Sequence, residues 1–186
     1  MRLVTITGVP GSGKSTQAKL LEARAAFTRF SGGDFYRQKA EKDEVLREIL
    51  FRDPVMKTPE GMRYAHLYFA WLKEHIREYM GHSIVFDGAP RSTNRARDYD
   101  KLATDLGVDL PHVFLFSIDK DNAEQRLQLR GRGDGNDAVR IEKMLRNQDD
   151  LRAYYEGSKR MTEIDATRSK DEVWCEIKAA LNLSCL

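Results

Sequence analysis

Cysteine is scarce in this sequence: Cys175 and Cys185 are the only two in 186 residues. Two thiols near the C-terminus form one bridge at most, which excludes a disulfide scaffold and a four-cysteine metal site. Reduced thiols in the cytosol are the expected state. Cys185, next to last, is misplaced for a prenylation box. Histidine is also sparse, and His66, His75, His82 and His112 are scattered without catalytic company. Surface or edge positions are expected for them. No apolar run approaches the ~18 residues a membrane helix needs, and the apolar stretch before the first glycines is too short for a signal-peptide core. Nor does one charge dominate, with 32% charged residues and a formal net charge of +2. That balance is not the footprint of a duplex-coating protein. A slight positive bias suits a small anionic substrate. The expectation is a cytoplasmic monomer with neither membrane nor nucleic acid as partner.

The hydrophobic share, 41% of 186 residues, is enough for one sizeable core. Strand-length apolar runs occur at 2–8 ("RLVTITG"), 27–30 ("FTRF"), 83–88 ("SIVFDG"), 112–119 ("HVFLFSID") and 161–165 ("MTEID"). Between them the pattern predicts helices at 14–25, 34–52, 59–80, 92–106, 120–130, 138–159 and 170–182. Pro59 suits a first helical turn with Thr58 as its cap. Alternation of this kind predicts an α/β fold: a five-stranded parallel sheet with helices on both faces. Ligands then bind at the carboxyl ends of the strands.

Two motifs fall at those ends. "GVPGSGKST" (8–16) fits G-x-x-x-x-G-K-[ST], the phosphate-cradling P-loop, and it follows a strand and opens a helix. Gly8, Gly11 and Gly13 allow the tight turn, and the loop residues Gly11, Ser12 and Gly13 bring backbone N–H groups toward phosphates. Lys14 is expected to reach the β- and γ-phosphates of ATP and Ser15 to ligate Mg²⁺, with Thr16 close by. The second motif is "DGAPR" (87–91), whose Asp87 ends a strand beside the loop and is the candidate acidic partner of that metal.

"GVPGSGKSTQ", "SGGDFYR", "FDGAPRS" and "RLQLRGRGD" occur in the order and spacing of adenylate kinase and its nucleoside monophosphate kinase relatives. The resemblance runs over nearly the whole chain, and "DGAPR" is its most specific piece. It implies transfer of the γ-phosphoryl group of ATP to a nucleoside monophosphate, with Mg²⁺. It also implies roles for the arginines. Arg37 and Arg91 look like the grip on the acceptor phosphate, near Gly32 and Gly88. Arg126 is similar to the arginine against the donor base. Arg130, Arg132 and Arg140 look like a clamp over both phosphates, so that Lys14, Arg91, Arg132 and Arg140 carry catalysis. Within a single kinase domain, the resemblance implies an acceptor-binding arm at about 31–60 and a very short lid at Gly131–Asp137. Several converging cations are also what the chemistry demands, because a loose phosphoryl transition state is stabilised mainly by positioning and charge. Arg146, Arg152 and Arg160 are expected to be solvated surface residues.

The departures from the family lie on the acceptor side. Its Ser-Thr-Gly-Asp appears as Ser31-Gly32-Gly33-Asp34, and its adenine-reading glutamine, four residues after the arginine of "PR", is Arg95 here, preceded by Asn94. Arg95 carries donors and no acceptor, which does not suit the adenine amino group. Asn94 is able to replace it as reader if the turn shifts by one residue. Strict AMP selectivity is therefore not expected. The aromatic run "YAHLYFAW" (64–71) reads as core at helical spacing, with a stacking platform as the other possibility. The alternative activity is a P-loop kinase acting on a hydroxyl, a polynucleotide 5′-kinase or small-metabolite kinase, with Asp34 as its base. Under the monophosphate reading, Asp34 merely caps a helix beginning at Phe35.

Overall fold

A computed structural model describes residues 1–52, 58–129 and 137–183. At its centre is a parallel sheet of β1 (Leu3–Gly8), β2 (Phe27–Ser31), β3 (Ser83–Asp87), β4 (His112–Ser117) and β5 (Met161–Asp165), in the order β2-β3-β1-β4-β5. The expected α/β architecture is present, and all five strands lie where the apolar runs predict them. Every residue of β1 is buried, as are Ile84–Asp87 and Val113–Phe116. Central parallel strands are covered on both faces and so read as continuous apolar runs. The edge strands β2 and β5 are only partly buried.

The described helices are α1 (Lys14–Ala25), α2 (Gly32–Ala40), α3 (Glu44–Arg52), α4 (Pro59–Ile76), α5 (Thr93–Leu106), α6 (Lys120–Leu129), α7 (Asp137–Tyr155) and α8 (Lys170–Ala180), with a short 3₁₀ turn at Arg77–Tyr79. Val4, Ile6, Phe114 and Phe116 pack with Ala18 and Leu21 of α1, Ile141 of α7 and Trp174 and Ile177 of α8. Leu3, Phe30, Ile84 and Phe86 pack with Leu72 and Ile76 of α4 and Tyr99 and Leu102 of α5. Pro59 opens α4, and the Thr58 hydroxyl accepts from the Gly61 N–H at 3.2 Å, as the sequence implies.

Three expectations need correction. The helix predicted over 34–52 is two helices, α2 and α3. Asp43 separates them: its carboxylate accepts from the Leu46 N–H at 2.9 Å and from the Tyr64 hydroxyl at 2.7 Å. An aspartate bonded this way starts a new helix rather than continuing the old one. The second correction is Asp34. Helix α2 begins at Gly32, its N-cap is Ser31, and Asp34 supplies the N–H that the Ser31 hydroxyl accepts at 3.1 Å. The third concerns surface arginines. Arg160 clasps Asp100 at 2.9 and 3.0 Å and lies over the Tyr155 ring, and Arg152 joins Glu163, Asp149 and Ser117. Both are ties between elements; only Arg146, paired with Glu142 within α7, is mainly solvated.

The strand order sets the place of the site. From β1 the chain fills one side of the sheet with β2 and β3, then crosses to the other with β4 and β5. The reversal lies at the carboxyl end of β1, where an α/β sheet opens a crevice. Parallel register brings Asp87 opposite Ile6 on one side and Ser31 on the other.

Candidate functional site

The loop between β1 and α1 occupies that crevice. Gly11 has φ of +85°, and a Cβ there would lie 2.6 Å from the Ala123 carbonyl oxygen. Only glycine combines that conformation with so close an approach to α6. Gly13, also at positive φ, precedes α1, whose first turn has no side-chain cap. First-turn N–H groups and the positive end of the helix dipole are thus directed at the loop, a ready anion site. The Lys14 ammonium donates to the Val9 carbonyl at 3.0 Å and so lies across the loop. Ser12 is buried, and among the described residues its hydroxyl has no hydrogen-bond partner. Thr16 lines the groove beyond the loop.

Asp87 is 3% exposed at the end of β3. The Ser15 hydroxyl donates to its Oδ1 at 2.9 Å, which joins the two residues assigned to the metal from sequence. A hydroxyl and a carboxylate are hard oxygen donors of the kind that suit Mg²⁺ held mainly by phosphates, so the pair fits the ion. Among the described residues, no group of three or more His, Cys, Asp or Glu is placed to hold a metal without such help.

Arg29 is a site residue that sequence reasoning missed. From β2 it donates to Asp87 Oδ2 at 2.9 Å and to Asp34 Oδ2 at 3.2 Å. A signal was present: an arginine inside the short strand "FTRF" demands a buried partner.

A cleft in front of the loop is lined by Lys14, Ser15, Asp87, Arg91, Arg140 and Arg37. Arg91 donates through Nε to the Gly88 carbonyl at 3.0 Å. Burial, then the neighbouring Arg140, push its guanidinium below the usual arginine value, with Tyr36 and Asp87 opposing them. With Lys14 and Arg37, these two arginines give the cleft a cationic lining. Arg37 reaches the same cleft from α2, is 70% exposed, and pairs with Asp34. Burial raises the Asp34 carboxyl, but hydrogen bonds from Arg37 and Ser31 and the charges of Arg37 and Arg29 outweigh it, leaving it below its ordinary value.

Two further hollows flank the cleft. One runs from Gly13 and Thr16 along Arg126 to Thr167 and Lys170. Arg126 forms its wall, donating to the carbonyls of Ala166 at 2.6 Å and Thr167 at 3.2 Å. The other is an aromatic hollow lined by Gly32, Tyr36, Tyr68, Arg91, Arg95 and Tyr99, among others. Gly88 and Arg91 line both this hollow and the cleft. Burial pushes the Tyr36 hydroxyl up to about 12, against the charges of Arg91 and Arg95. Burial likewise raises Tyr68 and Tyr99, and among the described residues the buried Tyr68 hydroxyl has no hydrogen-bond partner. Tyr68 is at once core and site wall: it belongs to the apolar cluster under β3 and faces the hollow. The aromatic run is thus core that also lines a hollow. Arg95 is 11% exposed, holds Asp98 through Nη1, and has a buried Nε without a hydrogen-bond partner among the described residues. Asn94 is exposed, and its Oδ1 accepts from Arg97 at 3.1 Å. Arg95 lines the hollow, and Asn94 is not among the residues that line it. Arg130, Arg132 and all of the lid expected at 131–137 except its last residue lie outside the described residues.

Known proteins share this organisation over nearly the full chain. Residues 7–144 match a family model described as an AAA domain. Adenylate kinase from Thermus thermophilus is 29% identical over 191 residues, covering 97% of each chain. Adenylate kinase from Synechococcus sp. is 30% identical over 177 residues, covering 94% of this chain and 95% of that one. A protein named UMP-CMP kinase 1 from Oryza sativa subsp. japonica is 25% identical over 188 residues, covering 95% of this chain and 72% of its own. With the phosphate loop at the switch point of a five-stranded parallel sheet and relatives of this kind along its whole length, the chain belongs to the nucleoside monophosphate kinase family of ATP-dependent phosphotransferases.

Proposed function

We propose that the protein transfers the γ-phosphoryl group of ATP to a nucleoside monophosphate and that its acceptor site does not select AMP strictly. The observation that carries this is the pair of hollows meeting at one cationic cleft, one walled by Arg126 and the other by Tyr36, Tyr68 and Arg95. Each suits a nucleobase, and the cleft between them suits joined phosphates. In this reading the donor binds along Gly11–Thr16 with its base beside Arg126. The acceptor base enters the aromatic hollow, and the acceptor phosphate meets Arg91 and Arg37. Lys14, Arg91 and Arg140 then face the transferring group, where their charge strengthens its hold as the loose transition state forms. Ser15 and Asp87 would hold Mg²⁺, which when bound neutralises phosphate charge. Residues 31–60 serve as the acceptor arm of a single kinase domain. The clamp roles of Arg130 and Arg132 belong to the same proposal.

No general base is required, because the acceptor phosphate oxygen is already anionic near neutral pH. The alternative, transfer to a hydroxyl with Asp34 as base, is disfavoured by the pairing of Asp34 with Arg29 and Arg37. A carboxylate stabilised by two guanidinium groups is a weaker proton acceptor.

The deciding experiment is a panel of nucleoside monophosphates, nucleosides and 5′-hydroxyl oligonucleotides, each with ATP and Mg²⁺. Diphosphate products from at least one monophosphate are expected. Transfer to hydroxyl acceptors alone would overturn the reading and return Asp34 to the role of base.

A further inference from the structure

Asp87 is not held by the phosphate loop alone. Its Oδ1 accepts from Ser15, and its Oδ2 accepts from Arg29 at 2.9 Å. Both carboxylate oxygens therefore have fixed partners on different elements, α1 and β2. Arg29 is 16% exposed and extends a three-way contact, reaching Asp34 at 3.2 Å and Glu22 at 3.4 Å. A guanidinium keeps its charge across the working pH range. Asp87 thus presents to the cleft a carboxylate whose orientation is fixed from behind by a guanidinium that it shares with Asp34 and Glu22.

We propose that Arg29 is a positioning residue that both orients Asp87 and damps its field, so that the Ser15–Asp87 pair takes a divalent cation together with nucleotide phosphates and only weakly without them. The physical reason is simple. A divalent ion drawn to Asp87 is repelled by a guanidinium directly behind the carboxylate. Phosphate oxygens supply the missing negative charge when a nucleotide occupies the loop. Free metal is thereby kept from occupying Asp87 ahead of the donor. This inference rests on the metal role given to Asp87 above, and its test does not involve phosphoryl transfer.

The test is Mn²⁺ binding to the nucleotide-free protein, followed by electron paramagnetic resonance. Arg29→Gln removes the charge, and Arg29→Met is a second neutral variant should the first not fold. Either is expected to bind Mn²⁺ roughly tenfold more tightly than the unmodified protein, the scale of removing one charge about 6 Å from a divalent ion in a water-like medium. Arg29→Lys, which keeps the charge, is expected to show the unmodified affinity. Combining Arg29→Gln with Asp87→Asn should abolish the gain. A folded neutral variant that binds Mn²⁺ no more tightly, or a gain that survives in the double variant, would overturn the proposal. A role limited to structural support would lower thermal stability without tightening metal binding.

Discussion

Arg95→Gln gives the sharpest test of acceptor choice. Arg95 stands in the aromatic hollow beside Tyr36, Tyr68 and Tyr99, only 11% exposed, with one Nη tied to Asp98. Its free donors face acceptor groups well, as on guanine O6 and N7 or pyrimidine O2, and face the adenine amino group poorly. Glutamine at this position supplies a carbonyl that an amino group can use. A hydrogen bond to a charged group contributes roughly 1.5–3 kcal/mol, or about ten- to a hundredfold in relative rate. The unmodified protein should therefore favour AMP over at least one of GMP, CMP, UMP or their deoxy forms by less than about 100-fold. The substitution should raise the AMP ratio by about tenfold or more. Stability should change little, by about 1 kcal/mol at most, because Asp98 is 38% exposed and can turn to water. The assay is kcat/KM for each monophosphate with saturating ATP, with a melting curve for each protein. An unchanged ratio in a normally folded variant would refute Arg95 as reader, and an AMP advantage above 100-fold over every competitor would refute the relaxed selectivity.

Other outcomes follow from the same geometry. Lys14→Met and Arg91→Ala should each lower kcat by roughly 10²-fold with a near-normal melting curve, since both remove charge felt most in the transition state; more than half the activity in a folded variant would contradict the assignment. Gly13→Ala meets open space and pays only for its positive φ, about 1 kcal/mol or 2–4 °C in Tm, whereas Gly11→Ala also strikes the Ala123 carbonyl and should melt clearly lower; equal Tm values would count against the loop geometry. Glu163 has a pKa held below 4.5 by hydrogen bonds from Arg152, against burial and with help from Ser117. Its stabilisation is complete above the ordinary glutamate range and is lost as pH falls through the lowered folded value, so acid melts of Glu163→Gln should show a smaller loss than the unmodified protein below about pH 4.5.

Much of this was legible in the sequence because the signals are local. Strand-length apolar runs reflect burial on both faces, and the phosphate loop is one continuous stretch whose glycines answer local backbone demands. The places of Lys14, Ser15 and Asp87 were legible because Lys14 and Ser15 open the helix after that loop and Asp87 ends a strand beside it. Arg29 signalled only that it needs a buried partner; which partner depends on β2 lying next to β3, a pairing across more than fifty residues that composition does not reveal. Tyr99 escaped for the same reason, as α5 must fold against α4 before it meets Tyr68. The break between α2 and α3 was missed because Asp43 is helix-compatible by position and decisive only through its bonds to Leu46 and Tyr64. The choice between Asn94 and Arg95 turned on which side of one helical turn faces inward.

The close approach of Gly11 to Ala123 has a consequence for how the protein is made. The phosphate loop is complete in sequence by residue 16, yet the wall it leans on is α6, at Lys120–Leu129. The strand that precedes the loop also waits: β1 pairs with β3 and β4, whose residues begin at 83 and 112. On the ribosome, at roughly 5–20 residues per second, the earliest strand is synthesised seconds before either partner exists. Its continuous apolar face is exposed through that interval, which makes it a natural ligand for a chaperone. Nucleotide can stabilise the fold only after α6 has emerged, so nascent chains halted before about residue 130 should fail to gain protease resistance from ATP, while chains released beyond α8 should gain it.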